Sequence, residues 1–159
     1  MGTLVEDIGT QSAWIVKAFA ADGLILDYSI DSFIAIDKFI SKHTANGKPK
    51  RGGRLSKGFG SILFSLGSYV GETIIKAVPG CVWITDDSSR EGEINITVKL
   101  PDGVEIWPVQ RMIKRVKNGT EDSLYVYGYQ ITKDFTGAEF NSSYWESVKE
   151  EPKPWWKIW

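Results

Sequence analysis

Along the first half of the chain apolar residues recur every three to four positions, and between residues 94 and 107 they alternate with polar ones. Thr3-Leu-Val-Glu6 has capping-box spacing, in which the Thr hydroxyl and the Glu carboxylate satisfy orphan amides at a helix start. Ile8, Ile15, Ala18 and Phe19 continue at helical spacing to Asp22-Gly23, a C-cap. A second helix is expected from Ser29 to Lys42 or His43. Its stripe is Ile30, Phe33, Ile34, Ile36, Phe39 and Ile40, with Asp31, Asp37 and Lys38 facing away. A third, over 59–78, is apolar nearly all round and therefore central. It carries Gly60, Gly67 and Gly71 with Ser68 toward one side. Each Gly costs about 1 kcal/mol relative to Ala in a helix interior, so a helix that keeps them is expected to use them for close backbone packing.

Pro79-Gly80 stops that helix, and the period changes from helical to two. Cys81 to Thr85 reads as a short strand. Ile94, Ile96, Val98 and Leu100 alternate with Asn95, Thr97 and Lys99 as a half-buried strand does. Pro101-Asp102-Gly103 then turns the chain into Val104 to Trp107, giving a three-stranded antiparallel meander. Pro108 suits the first position of another helix, with Val109, Met112, Ile113 and Val116 apolar and Gln110, Arg111, Lys114, Arg115 and Lys117 polar. Asn118-Gly119 closes it. Leu124 to Ile131 has strand propensity, yet Thr120-Glu-Asp-Ser before it can cap a helix, and helix is the slightly preferred reading. Residues 134–143 read as loop and 144–151 as one short helical turn. The expected fold is thus a single α+β domain over residues 1–151. Three N-terminal helices are followed by the meander packed on the glycine-bearing helix, then the basic helix and a further helix or strand. Residues 152–159 form a Trp-rich C-terminal tail.

Composition narrows the chemistry. The 159 residues hold 19 Lys+Arg, 20 Asp+Glu, one His and one Cys, for a net charge of −1. One His and one Cys cannot form a four-ligand structural zinc site or an internal disulfide, and a Ser-His or Cys-His mechanism would have to run through His43 alone. No metal or cofactor is expected. The near-neutral total argues against a whole-surface nucleic-acid binder. The first fifteen residues lack the basic-then-apolar order of a signal peptide, and Glu72, Lys76 and three glycines interrupt the most apolar stretch. The expectation is a cytoplasmic protein without a membrane span, its one Cys reduced.

The charges are segregated. Lys48, Lys50, Arg51, Arg54 and Lys57 lie within residues 46–58 with no acid, a loop candidate that could bind phosphates or RNA. It lacks the spacing of a P-loop. Residues 59–108 hold seven acids against three bases, and Arg111, Lys114, Arg115 and Lys117 follow. Asp86, Asp87, Glu91 and Glu93 crowd the expected hairpin tip. Without EF-hand spacing they suit recognition of a basic partner better than calcium. Glu72 and Tyr69 on the apolar helix, with Trp83 and Trp107, make a possible pocket. A carboxylate there is either paired or perturbed. Trp155, Trp156 and Trp159 offer apolar area for the parent core or for a partner.

Three motifs carry a resemblance: Leu26-Asp-Tyr-Ser-Ile-Asp-Ser-Phe-Ile-Ala-Ile-Asp37, Gly67-Ser-Tyr-Val-Gly-Glu72, and Trp107-Pro-Val-Gln-Arg-Met-Ile-Lys-Arg-Val-Lys-Asn-Gly119. Across residues 25 to 131 the chain resembles a family of small bacterial proteins of unknown function, some of which are similar to immunity proteins of toxin systems. The resemblance implies a standalone cytosolic protein and carries over no catalytic residue. The expected function is a non-enzymatic protein-binding module of the immunity type. Its interface material is Asp86, Asp87, Glu91, Glu93, Arg111, Lys114, Arg115 and the tail Trp residues, since aromatics and Arg dominate hot spots. Two alternatives stand beside it. One is a small hydrolase or transferase using Glu72, Tyr69 and a hairpin carboxylate. The other is an RNA- or phosphate-binding adaptor built on residues 48–57.

Overall fold

In the computed structural model, which describes residues 2–148, Thr3 caps the first helix, α1 (Leu4–Ala21), by accepting from the Glu6 amide at 3.2 Å. The Leu4 amide donates instead to Asp87 Oδ1 at 2.6 Å, so a carboxylate distant in sequence sits at the positive end of the helix. After the turn at Asp22-Gly23, Ser29 caps a 3-10 turn (Ile30–Ser32) that runs into α2 (Phe33–His43).

The basic segment departs from the expected loop. Thr44–Ala45 (β1) and Lys48–Pro49 (β2) pair antiparallel around Asn46-Gly47, whose φ values of 54° and 77° are those a two-residue hairpin turn demands. Leu55 is fully buried, which pins the remainder of the segment to the body.

Helix α3 (Phe59–Ala77) is the central element, buried almost continuously from Leu63 to Gly71. Helix α4 (Pro108–Asn118) crosses it at Gly67, where an added Cβ would stand 2.6 Å from Val109 Cγ2 and 2.9 Å from the Val109 backbone. One turn on, a Cβ at Gly71 would overlap the Trp83 ring. Gly60 faces open space, so two of the three glycines carry the expected close approach.

Trp83 belongs to the meander of β3 (Val82–Ile84), β4 (Thr97–Lys99) and β5 (Glu105–Ile106), antiparallel in that order. The register sets Trp83 opposite Val98 and Val98 opposite Ile106, so these three point inward at α3, while Val82, Ile84, Lys99 and Glu105 are exposed on the other face. After a 3-10 turn (Gly119–Asp122), residues 124–131 are helical, within α5 (Leu124–Thr136), because Ser123 accepts from the Val126 amide as N-cap. A short helix, α6 (Ser143–Ser147), packs Tyr144 against Tyr125 and Phe140. The architecture is α+β, with six α-helices and two small antiparallel sheets among the described residues. None of these helices is long and apolar enough to cross a membrane. The tail residues Trp155, Trp156 and Trp159 lie outside the described residues.

Candidate functional site

The pocket expected around Tyr69 and Glu72 is filled by internal bonds. Tyr69 is fully buried. Its hydroxyl accepts from the Tyr28 amide at 2.8 Å and shares a hydrogen bond with Ser32 Oγ at 2.6 Å. Burial outweighs these bonds and pushes the phenol above its ordinary pKa. Glu72, half-buried, accepts from Trp83 Nε1 at 3.3 Å, and Trp107 stands exposed at the start of α4. Neither Tyr69 nor Glu72 lines the cavity on the acidic turn. Among the described residues no three His, Cys, Asp or Glu side chains are grouped so that they could hold a metal ion.

A second polar group is wholly internal. Asp37, assigned to the solvent side of α2 by residue type, is buried, and Arg115, assigned to the polar face of α4 and to partner binding, is 1% exposed. Arg115 Nε donates to Asp37 Oδ1 at 2.8 Å and its Nη2 to Ser41 Oγ at 2.7 Å. The same carboxylate accepts from Ser123 Oγ and from the Leu124 and Tyr125 amides, each at 2.9 Å. Asp37 is thus both the partner of a buried cation and the anion at the N-terminus of α5, where unpaired amides favour negative charge. Of the other α4 cations, Arg111 lies 4.0 Å from the Tyr127 ring centroid and bridges Asp122 at 3.3 Å, while Lys114 is exposed.

The acidic turn faces outward and is held by hydrogen bonds within itself and to α1. Asp86 accepts from the Ser88 hydroxyl and amide, bonds that hold its carboxyl below the usual range, and the Asn95 amide closes back on the Glu91 carbonyl at 3.0 Å. Asp87 ties the turn to α1, and Gly92 is buried where a Cβ would press on the Asp86 carbonyl. Glu91 and Glu93 stand exposed beside a cavity of about 290 Å³ lined by Leu4, Asp87 and Ile94 among others. The chain enters this turn from β3, on the outer face of the meander. Val82 and Ile84 point away from the core opposite Lys99 and Thr97, 54% and 43% exposed, and Trp107 follows inward Ile106 at 43%. Exposed apolar side chains with charged neighbours, Lys99 and Glu105 on the same face and Asp86 two residues beyond Ile84, have the anatomy of a protein interface.

The basic segment forms a third feature. Lys48, Lys50, Arg51 and Lys57 are exposed, but Arg54 folds back to bridge Asp22 at 2.6 Å, and its amide donates to His43 Nδ1 at 3.4 Å. The result is a cleft of about 290 Å³ lined by Asp22, Leu24, Lys38, Phe39, Lys42, His43 and Arg54. Lys38, Lys42 and His43 were not legible as site residues while segment and helix were read apart. The available signal was Lys38 and Lys42 at four-residue spacing on α2, running directly into the basic segment.

Comparison of the chain with protein-family models, with curated proteins and with solved structures finds no match.

Proposed function

We propose that this chain is a non-enzymatic cytosolic protein-binding module of the immunity type, which neutralises a bacterial toxin by covering its active surface. The surface it uses is the acidic turn 86–93 together with the outer face of the meander. The observation that carries this reading is that exposed Val82 and Ile84 on β3 run directly into the acidic turn at Asp86, with exposed Trp107 directly after β5 of the same sheet. The apolar patch supplies area removed from water, and the carboxylates steer a partner of opposite charge. The partner's covered surface is accordingly basic, as is that of an enzyme which handles phosphate-rich substrates. The internal engagement of Tyr69, Glu72, Asp37 and Arg115 supports the non-enzymatic part, because it commits these four groups to joining elements of the fold.

Co-expression with candidate toxins taken from the genes adjacent to this one tests the reading. The wild type is expected to restore growth and to co-purify with the toxin, and Ile84→Asp combined with Glu91→Lys to abolish both while retaining the wild-type melting temperature. Full protection by that folded double variant would remove this surface from the proposal.

A further inference from the structure

We propose that the cleft between the end of α2 and the basic segment binds a small organic phosphate, its phosphoryl group among Lys38, Lys42 and Arg54 and its carbon part on Leu24 and Phe39. The site is separate from the acidic surface and does not depend on it.

The cleft holds three cations against the single carboxylate of Asp22. Lys38 and Lys42 stand one turn apart on the exposed side of α2. Arg54 arrives from the segment with its guanidinium steered by Asp22 at 2.6 Å and its side chain still 64% exposed, so most of its fork of N–H donors remains turned to solvent. The floor is apolar: Leu24 is half-buried, and the Phe39 ring packs on the His43 ring at 4.6 Å between centroids. His43 Nδ1 accepts from the Arg54 amide, which leaves Nε2 to carry the proton in the neutral ring and to act as a donor. The carbonyl end of α2 opposes an anion here, and Lys42 and His43 in its last turn offset that end.

Size and neighbours select the ligand class. About 290 Å³ is at the lower end of ligand clefts, enough for a phosphoryl group with a compact carbon skeleton. A nucleic-acid strand would need a track of cations with exposed rings for base stacking. Here Lys48, Lys50, Arg51 and Lys57 do not line the cleft, so its cations form a cluster and not a track. His43 reports on occupancy. Burial, then Lys42 and Arg54, with Lys50 adding and Asp22 opposing, hold its pKa below the ordinary imidazole value, and an anion among those cations reverses the charge contribution.

The chain has one His, so its imidazole NMR signals are unambiguous. Phenyl phosphate, phenol and inorganic sulfate are titrated separately into the full chain at low ionic strength and pH 7.5. The expected result is a saturable movement of the His43 signals with phenyl phosphate at millimolar concentration or below, a weaker one with sulfate and none with phenol. Lys42→Gln and Arg54→Gln should each weaken phenyl phosphate by about tenfold, the loss of one charge-assisted contact. Asp22→Asn should tighten it several-fold by removing the competing carboxylate, and Lys57→Gln, outside the cleft, should leave it unchanged. No movement at about 10 mM phenyl phosphate overturns the proposal. So does equal weakening by Lys42→Gln and Lys57→Gln, or binding of a nonspecific oligonucleotide in place of phenyl phosphate. Failure here leaves the toxin co-expression result untouched.

Discussion

Arg115 Nε donates to Asp37 Oδ1 at 2.8 Å across 78 residues of chain, with 1% and 2% of the two side chains exposed. The pair joins α4 to α2, and through the Ser123 hydroxyl and the Leu124 and Tyr125 amides it joins both to α5. The two partners are not equivalent. Without Arg115 the carboxylate keeps three donors and the positive end of α5. Without Asp37 the guanidinium keeps Ser41 and one backbone carbonyl, and the first amides of α5 lose their acceptor. Asp37→Ala is therefore expected to cost about 3–5 kcal/mol, the range for breaking a buried pair, and Arg115→Met distinctly less. Urea denaturation of both variants decides it. An Arg115→Met cost equal to or above that of Asp37→Ala would show that α5 capping is not what Asp37 chiefly supplies.

This pair also marks where reading the sequence succeeds and fails. Local devices were legible: the Thr3 cap, the turn at Asp102-Gly103, Pro108 at the start of α4 and the alternation through Ile96, Val98 and Leu100 each depend on neighbours a few residues away. Asp37 was misplaced because charge was taken as evidence of exposure. Its phase says otherwise, since it lies four residues after Phe33 and three before Ile40, on the buried stripe. Arg115, three residues after Met112, repeats the pattern on α4. A lone charge in phase with a core stripe, matched by an opposite one on another helix, is a signal for a buried pair. The cleft at His43 left only the weaker signal of Lys38 and Lys42 in step before the basic segment, because it exists where the α1–α2 corner, the end of α2 and Arg54 meet in space.

The glycines of α3 give opposite expectations within one helix. At Gly71 an added methyl group enters the Trp83 ring, which is wedged between α3 and the meander and cannot swing away cheaply. Gly71→Ala should destabilise by about 1–3 kcal/mol, the usual cost of overpacking. At Gly60 the same methyl group meets nothing, and the gain in helix propensity should stabilise by up to about 1 kcal/mol. Thermal unfolding of the two variants should therefore move the melting temperature in opposite directions, and a shift of the same sign in both would contradict the packing role of Gly71.

His43 sets a pH dependence whose sign follows from its surroundings. Burial first, then Lys42 and Arg54, lower its pKa in the folded chain below the ordinary 6.5, so the unfolded chain takes up the proton more readily. Its contribution to stability is complete above pH 6.5 and is lost as the pH falls through the folded-state value. Asp27 and Asp86 do not contribute to that window, since hydrogen bonds from Ser29 and Ser88 hold them below their ordinary 3.8. Between pH 7.5 and 5.5 the wild type should lose melting temperature and His43→Gln should lose less. Identical slopes in the two proteins would exclude the histidine as the cause.

Tyr69 holds a strained piece of backbone in place. Tyr28 sits at φ 62°, in the left-handed region that a bulky residue rarely adopts, and its amide donates to the Tyr69 hydroxyl at 2.8 Å while its ring lies 4.9 Å from the Tyr69 ring. Ser32 Oγ, the other partner of that hydroxyl, retains the Ser29 carbonyl at 2.6 Å as an alternative, so the Tyr28 amide is the group that Tyr69→Phe orphans. The expected cost is about 1–3 kcal/mol, that of leaving one enclosed donor unpaired, with ring packing preserved. Global stability alone cannot assign the loss to this bond. Amide hydrogen exchange can: in Tyr69→Phe the Tyr28 amide should exchange faster by a larger factor than amides in the middle of α3, because the turn at 27–29 is freed to open without unfolding the helix. A uniform rise across α3 and Tyr28 would mean that the hydroxyl stabilises the whole core and that the Tyr28 turn has no independent dependence on it.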